Sequence, residues 1–203
     1  MFQRKSFCAL VLISTYIVSS ALSAQSIETA ARHAVLYDLT TDTILLNKAS
    51  DVPMPPASMS KLMTVYMVFE RLKAGRLSLD DKFVVSRKAW RKGGSKMFVM
   101  VKSRVAVKDL LRGIIIQSGN DACIVIAEGI SGSEDAFAEE MTRKAKEIGL
   151  KNSSFKNATG WPADGHYMSA RDIATLSKKL IIDFPEYYKL FSEIDFTFGG
   201  IKQ

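Results

Sequence analysis

The chain has 203 residues, 47% of them hydrophobic and 24% charged, with a formal net charge of +7. That is enough for one sizeable domain, crowded for two, and ordinary for a globular protein. The positive balance has no polybasic run and no aromatics interleaved with Lys and Arg, so nucleic-acid binding is not expected.

Arg4 and Lys5 precede an apolar run from Phe7 to Val18, followed by the small residues Ser19 to Ala24. This is the order of a secretory signal cleaved after Ala24, and it predicts export. The run is too short for a first-choice membrane span. Cys8 would leave with the signal, so Cys123 remains alone and no intramolecular disulfide is expected. Cys123 reads as a small core residue.

His33–Asp38 and Asp42–Asn47 are predicted strands of a hairpin, joined through Leu39-Thr40-Thr41. The Pro-rich loop Pro53-Met54-Pro55-Pro56 then sets up a helix over 57–74, stopped by Gly75. Positions 62, 63, 65 to 69 and 72 are apolar and run all round that helix, which predicts a buried central element. Leu77 to Val85 is polar and then extended, and Ser86 to Trp90 adds a short helical turn. Gly93-Gly94-Ser95 is a loop leading into a short predicted strand, Met97–Met100.

Val107–Ile116 carries a helical apolar stripe. It breaks at Gln117-Ser118-Gly119, and Asn120 or Asp121 caps a second helix running to Glu128, before Gly129. Ser133–Ile148 is a third helix with Gly149 as its stop. Leu150 to Tyr167 reads as loop, and Ser169-Ala170-Arg171-Asp172 resembles a capping box for a helix ending near Asp183. Pro185–Phe191 is a short helix, and Ile194–Phe198 opens a further strand. The class is α+β. A lone hairpin is barely stable in water, so its sheet is expected to be incomplete in this chain.

Two segments carry chemistry. Ser58 and Lys61 lie three residues apart, on one face of the first turn of the buried helix. A serine hydroxyl needs a base, and a lysine desolvated by burial can be one. The helix N-terminus presents N–H groups to any oxyanion forming beside Ser58. Ser-x-x-Lys is a short motif, and Ser153-Ser154-Phe155-Lys156 matches it too, but within a polar loop without a helix start. Ser118-Gly119-Asn120 is the second segment. Its hydroxyl can relay a proton to a leaving group, and its carboxamide can hold a substrate amide and the lysine. The bland reading of the same residues is a helix stop and an N-cap.

Ser-x-x-Lys followed by Ser-x-Asn is shared by penicillin-binding proteins and class A β-lactamases. With Gly93-Gly94-Ser95-Lys96-Met97-Phe98, Asp109-Leu110-Leu111-Arg112-Gly113 and Asn157-Ala158-Thr159-Gly160 in order, the chain resembles the serine-type D-alanyl-D-alanine carboxypeptidases, low-molecular-mass penicillin-binding proteins. The resemblance implies a β-lactamase/transpeptidase-like three-layer sandwich, with a helical lobe and an antiparallel sheet. Residues 25–203 would be the amino-terminal part of the catalytic domain. It further implies that Ser58 is acylated by a peptidoglycan stem peptide ending in D-Ala-D-Ala, with Lys61 as base and Ser118 and Asn120 relaying protons and positioning substrate. β-Lactams would be covalent inhibitors. No cofactor or metal is implied, and there is no metal-ligating cluster or phosphate loop in the sequence.

The family's third motif, Lys-Thr/Ser-Gly, is expected on a strand beyond Phe198 and does not occur. Lys73-Ala74-Gly75 is no substitute. The rest of the sheet, the carboxy-terminal domain and the membrane anchor are likewise expected to be missing, and activity to be impaired. A truncated non-catalytic remnant or binding protein is the alternative. A β-lactamase is a more distant one, since Glu147-Ile148-Gly149-Leu150-Lys151 only partly matches the deacylating Glu-x-x-Leu-Asn. His166, near Asp164, reads as a solvated loop histidine, His33 as bland, and Trp90 and Trp161 as cleft-wall or core residues.

Overall fold

The computed structural model describes residues 27–203, so the predicted signal at 1–24 lies outside the described residues. The first helical turn after Pro56 is a 3-10 turn, Ala57–Ser60, which runs directly into α1 (Lys61–Lys73). A single helix from residue 57 is expected; the first turn is tighter because Met59 N–H donates to Pro56 O at 3.1 Å, the i→i+3 spacing. From Met63 to Phe69 every residue of α1 is buried, as the all-round apolar pattern requires. Phe69 packs against Phe184, Tyr187 and Phe191, and α1 also touches the helices described below on several sides.

Hairpin strands β1 (Ala34–Asp38) and β2 (Thr43–Lys48) pair antiparallel from Ala34↔Lys48 to Asp38↔Thr43. A second pair, β3 (Lys82–Val84) with β4 (Arg104–Ala106), is half unexpected, since β4 carries no strand-like pattern of useful length. Between them lies α2 (Arg87–Arg91), where Ser86 Oγ accepts from Ala89 N–H at 3.0 Å. The predicted strand at Met97–Met100 does not form. Its amides are already taken: Met97 and Val99 N–H donate to the two carboxylate oxygens of Asp121, at 3.0 and 3.2 Å.

Helix α3 (Val107–Ile115) and helix α4 (Asn120–Ser131) are separated by the turn at Ser118. Gly129 does not stop α4, which runs on to Gly132. The glycine is there for packing: a Cβ at Gly129 would lie 2.2 Å from the Phe83 ring, so β3 can sit against the helix only if position 129 has no side chain. Residues 122–127 of α4 are wholly buried, Cys123 among them, and burial pushes that thiol's pKa up to about 12. This is a packing cysteine.

Helix α5 (Glu134–Glu147) is capped by Ser133, whose Oγ accepts from Ala136 N–H. Helix α6 (Ala170–Asp183) starts with Ser169 Oγ accepting from Asp172 N–H at 3.1 Å. Asp172 does not complete a reciprocal box. Its carboxylate accepts from Lys151 N–H, Asn152 N–H and Ser153 Oγ instead, tying the 151–153 loop to the helix start. A short α7 (Pro185–Tyr188), a 3-10 turn (Lys189–Ser192) and a small hairpin, β5 (Thr197–Phe198) with β6 (Ile201–Lys202), follow. The described residues thus form a helical lobe around α1 and α4 with three two-stranded sheets; β1 lies on α6. The class is α+β. No helix among the described residues is long and apolar enough to cross a membrane.

Candidate active site

Ser58 is exposed in the middle of the 3-10 turn, while Lys61, at the start of α1, is 5% exposed. Lys61 Nζ donates to Ser58 Oγ at 2.9 Å and to the Thr159 carbonyl at 2.8 Å. Burial pulls the lysine pKa below its ordinary value, and the nearby Lys92 charge adds to the effect. The pair therefore has the contact and the desolvated amine that nucleophile activation needs.

Ser118 opens onto the same small cavity, about 130 Å³, lined also by Val65, Ile114 and Phe191. Its φ is 56°, a left-handed conformation that costs a serine energy and is held here by the flanking helices. Asn120 also has partners in a neighbouring loop. Its Nδ2 donates to Gly93 O at 2.9 Å and its backbone N–H to Ser95 O at 2.8 Å, so it fastens the Gly93–Ser95 loop along the cleft. Neither Ser118 nor Asn120 hydrogen-bonds to Ser58 or Lys61. A larger cavity, about 500 Å³, lies between α5 and Ser154–Lys156 and includes none of these four residues. The second Ser-x-x-Lys is separated by the fold: Ser153 Oγ donates to Asp172, and Lys156 is exposed.

Three features of the site escape residue-by-residue reading. The Thr159 carbonyl is a backbone group, and only the Asn-x-x-Gly turn around it offers a signal. Asn157 Oδ1 accepts from the N–H groups of Thr159, Gly160 and Trp161, which curls the loop so that the carbonyl faces Lys61. Gly160 has φ +82°, and a Cβ there would fall 1.8 Å from Ala57 O. Gly160→Ala is therefore expected to displace the turn that carries Ser58 and to cost about 2 kcal/mol or more, as a drop in the thermal unfolding midpoint. The other two features are side chains. Lys92 Nζ sits 4.3 Å above the Trp161 ring at the cleft rim, and Trp161 and Trp90 are 46% and 41% exposed, which removes the core reading for both. His166 is not solvated, as expected from its loop, but 6% exposed, with Nε2 2.7 Å from Ser60 Oγ.

This architecture is that of a penicillin-binding protein. The chain superposes on penicillin-binding protein 5 from Haemophilus influenzae with a TM-score of 0.84 at 40% identity, covering 87% of this chain and 52% of that one. Penicillin-binding protein D2 from Listeria monocytogenes, solved in an ampicillin-bound form, matches with a TM-score of 0.73 at 29% identity, over 85% of this chain and 70% of that one. By sequence the chain belongs to the peptidase S11 family, the D-alanyl-D-alanine carboxypeptidases, whose model matches residues 19–203. It is 46% identical to the D-alanyl-D-alanine carboxypeptidase DacF of Bacillus subtilis over 74% of its own length and 39% of that protein's. The chain spans 50% of DacC from Escherichia coli, at 38% identity.

Proposed function

We propose that the protein removes the terminal D-alanine from peptidoglycan stem peptides ending in D-Ala-D-Ala, through an acyl-enzyme on Ser58. The observation that carries this reading is the 2.9 Å contact between Ser58 Oγ and a buried Lys61. Neutral Lys61 takes the serine proton as Oγ attacks the penultimate D-alanine carbonyl. The Ser58 N–H, within the first helical turn, stabilises the oxyanion. Collapse of the tetrahedral intermediate breaks the peptide bond, and the departing D-alanine amine receives a proton through Ser118. Water, deprotonated by Lys61, then hydrolyses the ester. Asn120, by fixing the Gly93–Ser95 loop, shapes the wall along which the peptide lies.

No Lys-Thr/Ser-Gly triplet occurs in the 203 residues. The Arg4–Ala24 order supports export to the periplasm or the outer face of the cytoplasmic membrane. β-Lactams, which share the acyl-donor chemistry, are covalent inhibitors.

A non-catalytic remnant or binding protein is the second reading, favoured by Leu36, Ile44 and Leu45 on the hairpin, all more than 40% exposed. The β-lactamase reading has less behind it, because Glu147 is ion-paired with Lys144 at the surface end of α5. A fluorescent penicillin followed by intact-mass analysis distinguishes the three. A stable single adduct, absent in Ser58→Ala, is expected; rapid drug turnover would favour the β-lactamase, and no adduct on folded protein the remnant.

A further inference from the structure

His166 is 106 residues from Ser60 in sequence, yet its ring is buried against the turn that carries the nucleophile. Lys156 N–H donates to Nδ1 at 3.1 Å, so that nitrogen is unprotonated and Nε2–H is the donor to Ser60 Oγ. The Phe155 ring meets the imidazole edge to face at 5.7 Å and closes its other side. Lys156 on the same loop is the charged neighbour, with Lys61 directly after Ser60 and the Lys92 charge acting on Lys61. No carboxylate among the described residues hydrogen-bonds to the ring. Burial, helped by the Lys156 charge, lowers its pKa, in the same sense as the unprotonated Nδ1.

The loop from Asn157 to His166 grips the Ser58 turn at three points. Thr159 O takes Lys61 Nζ, the Gly160 backbone lies against Ala57 O, and His166 takes Ser60. The turn needs such a grip. Ala57, immediately before Ser58, has φ 47°, a left-handed conformation an alanine adopts only when its surroundings enforce it. Ser60 and Ser58 lie on opposite sides of the same turn, one buried and one exposed, so fixing Ser60 sets the direction of Ser58.

We propose that His166 is a positioning residue, which through Ser60 locks the strained turn so that Ser58 Oγ stays within reach of Lys61. The buried imidazole makes the one side-chain hydrogen bond that the described residues 157–166 offer to that turn; the other two contacts use loop backbone. Its loss lets the turn relax away from the loop, and Lys61 is rehydrated as Thr159 withdraws.

The test uses the full chain with ¹³C-labelled lysine, Lys61 being assigned by its disappearance in Lys61→Arg. In folded His166→Phe the Lys61 titration midpoint moves up toward the ordinary lysine value. Labelling of Ser58 by fluorescent penicillin slows on the order of tenfold to a hundredfold, the usual effect of a small misplacement of a reacting group. His166→Gln, which keeps a donor for Ser60, restores most of both. Ser60→Ala severs the same link by removing one oxygen, and gives the same two effects if the phenylalanine variant does not fold. An unchanged Lys61 midpoint in folded His166→Phe, or in Ser60→Ala, overturns the proposal. The labelling readout rests on the acyl-transfer reading above, whereas the lysine titration does not. A wild-type chain that fails to label, while its Lys61 midpoint still responds to His166, keeps the positioning role and refutes the acyl transfer.

Discussion

Lys61→Arg is expected to slow acylation of Ser58 by a β-lactam at least on the order of 10²–10⁴, the range a positioned general base contributes. Arginine keeps the positive charge and can still donate to the Thr159 carbonyl, so the turn has a partner. It does not become a neutral base at any accessible pH. The comparison therefore isolates proton transfer from scaffolding. The wild-type rate should also climb with pH as Lys61 deprotonates, and level off below the pH at which an unperturbed lysine would, because burial lowers its pKa. Stopped-flow labelling across pH measures both. A Lys61→Arg rate equal to wild type would leave no role for the lysine as base.

The second large effect is expected at Asp121, away from the reacting atoms. Its carboxylate is wholly buried and accepts from Met97, Val99 and Ala122 N–H, holding the 97–99 segment against the start of α4. Asp121→Ala leaves these donors buried without an acceptor. At roughly 1–3 kcal/mol for each buried unsatisfied group, a loss on the order of 3 kcal/mol or more is expected. Asp121→Asn keeps one acceptor oxygen and should fall between the two. Urea unfolding monitored by far-UV circular dichroism gives the three midpoints. A result within 0.5 kcal/mol of wild type for Asp121→Ala, roughly the range of a neutral surface change, would mean the segment finds other partners.

These two residues also mark what could be read from sequence and what could not. Lys61 was legible because its partner is three residues away on a helix turn, where spacing alone fixes proximity. The serine caps at positions 133 and 169 are legible for the same reason, each acting on an amide three residues on. So was α1, whose burial is written in its all-round apolar pattern. Asp121 looked like a capping residue because local chemistry suits it to that. That its carboxylate also serves residues 97 and 99 depends on two segments meeting in space. The absent strand at Met97–Met100 follows directly, since the residue types favour extension but the amides are bonded elsewhere. Gly129 misled in the other direction: glycine after an apolar run is a helix stop by default, and only the arrival of Phe83 from β3 explains one in mid-helix. Thr159 acts through its carbonyl, which no side chain advertises, and the hold of Asn120 on the Gly93–Ser95 loop likewise depends on two distant segments meeting. From its loop neighbours His166 is expected to be solvated; its true neighbour is Ser60.

The link between Lys61 and Thr159 spans 98 residues, and that between Ser60 and His166 spans 106. Closing loops of that length carries an entropic cost before any contact offsets it, so these links form late in folding. A nascent chain would leave part of the apolar surface of α1 uncovered until α5 and α6, which pack on it along with α3 and α4, have been synthesised. The turn that carries Ser58 is thus made well before the loop contacts that set it. Its vulnerable interval is fixed by gene order rather than by the strength of any single contact.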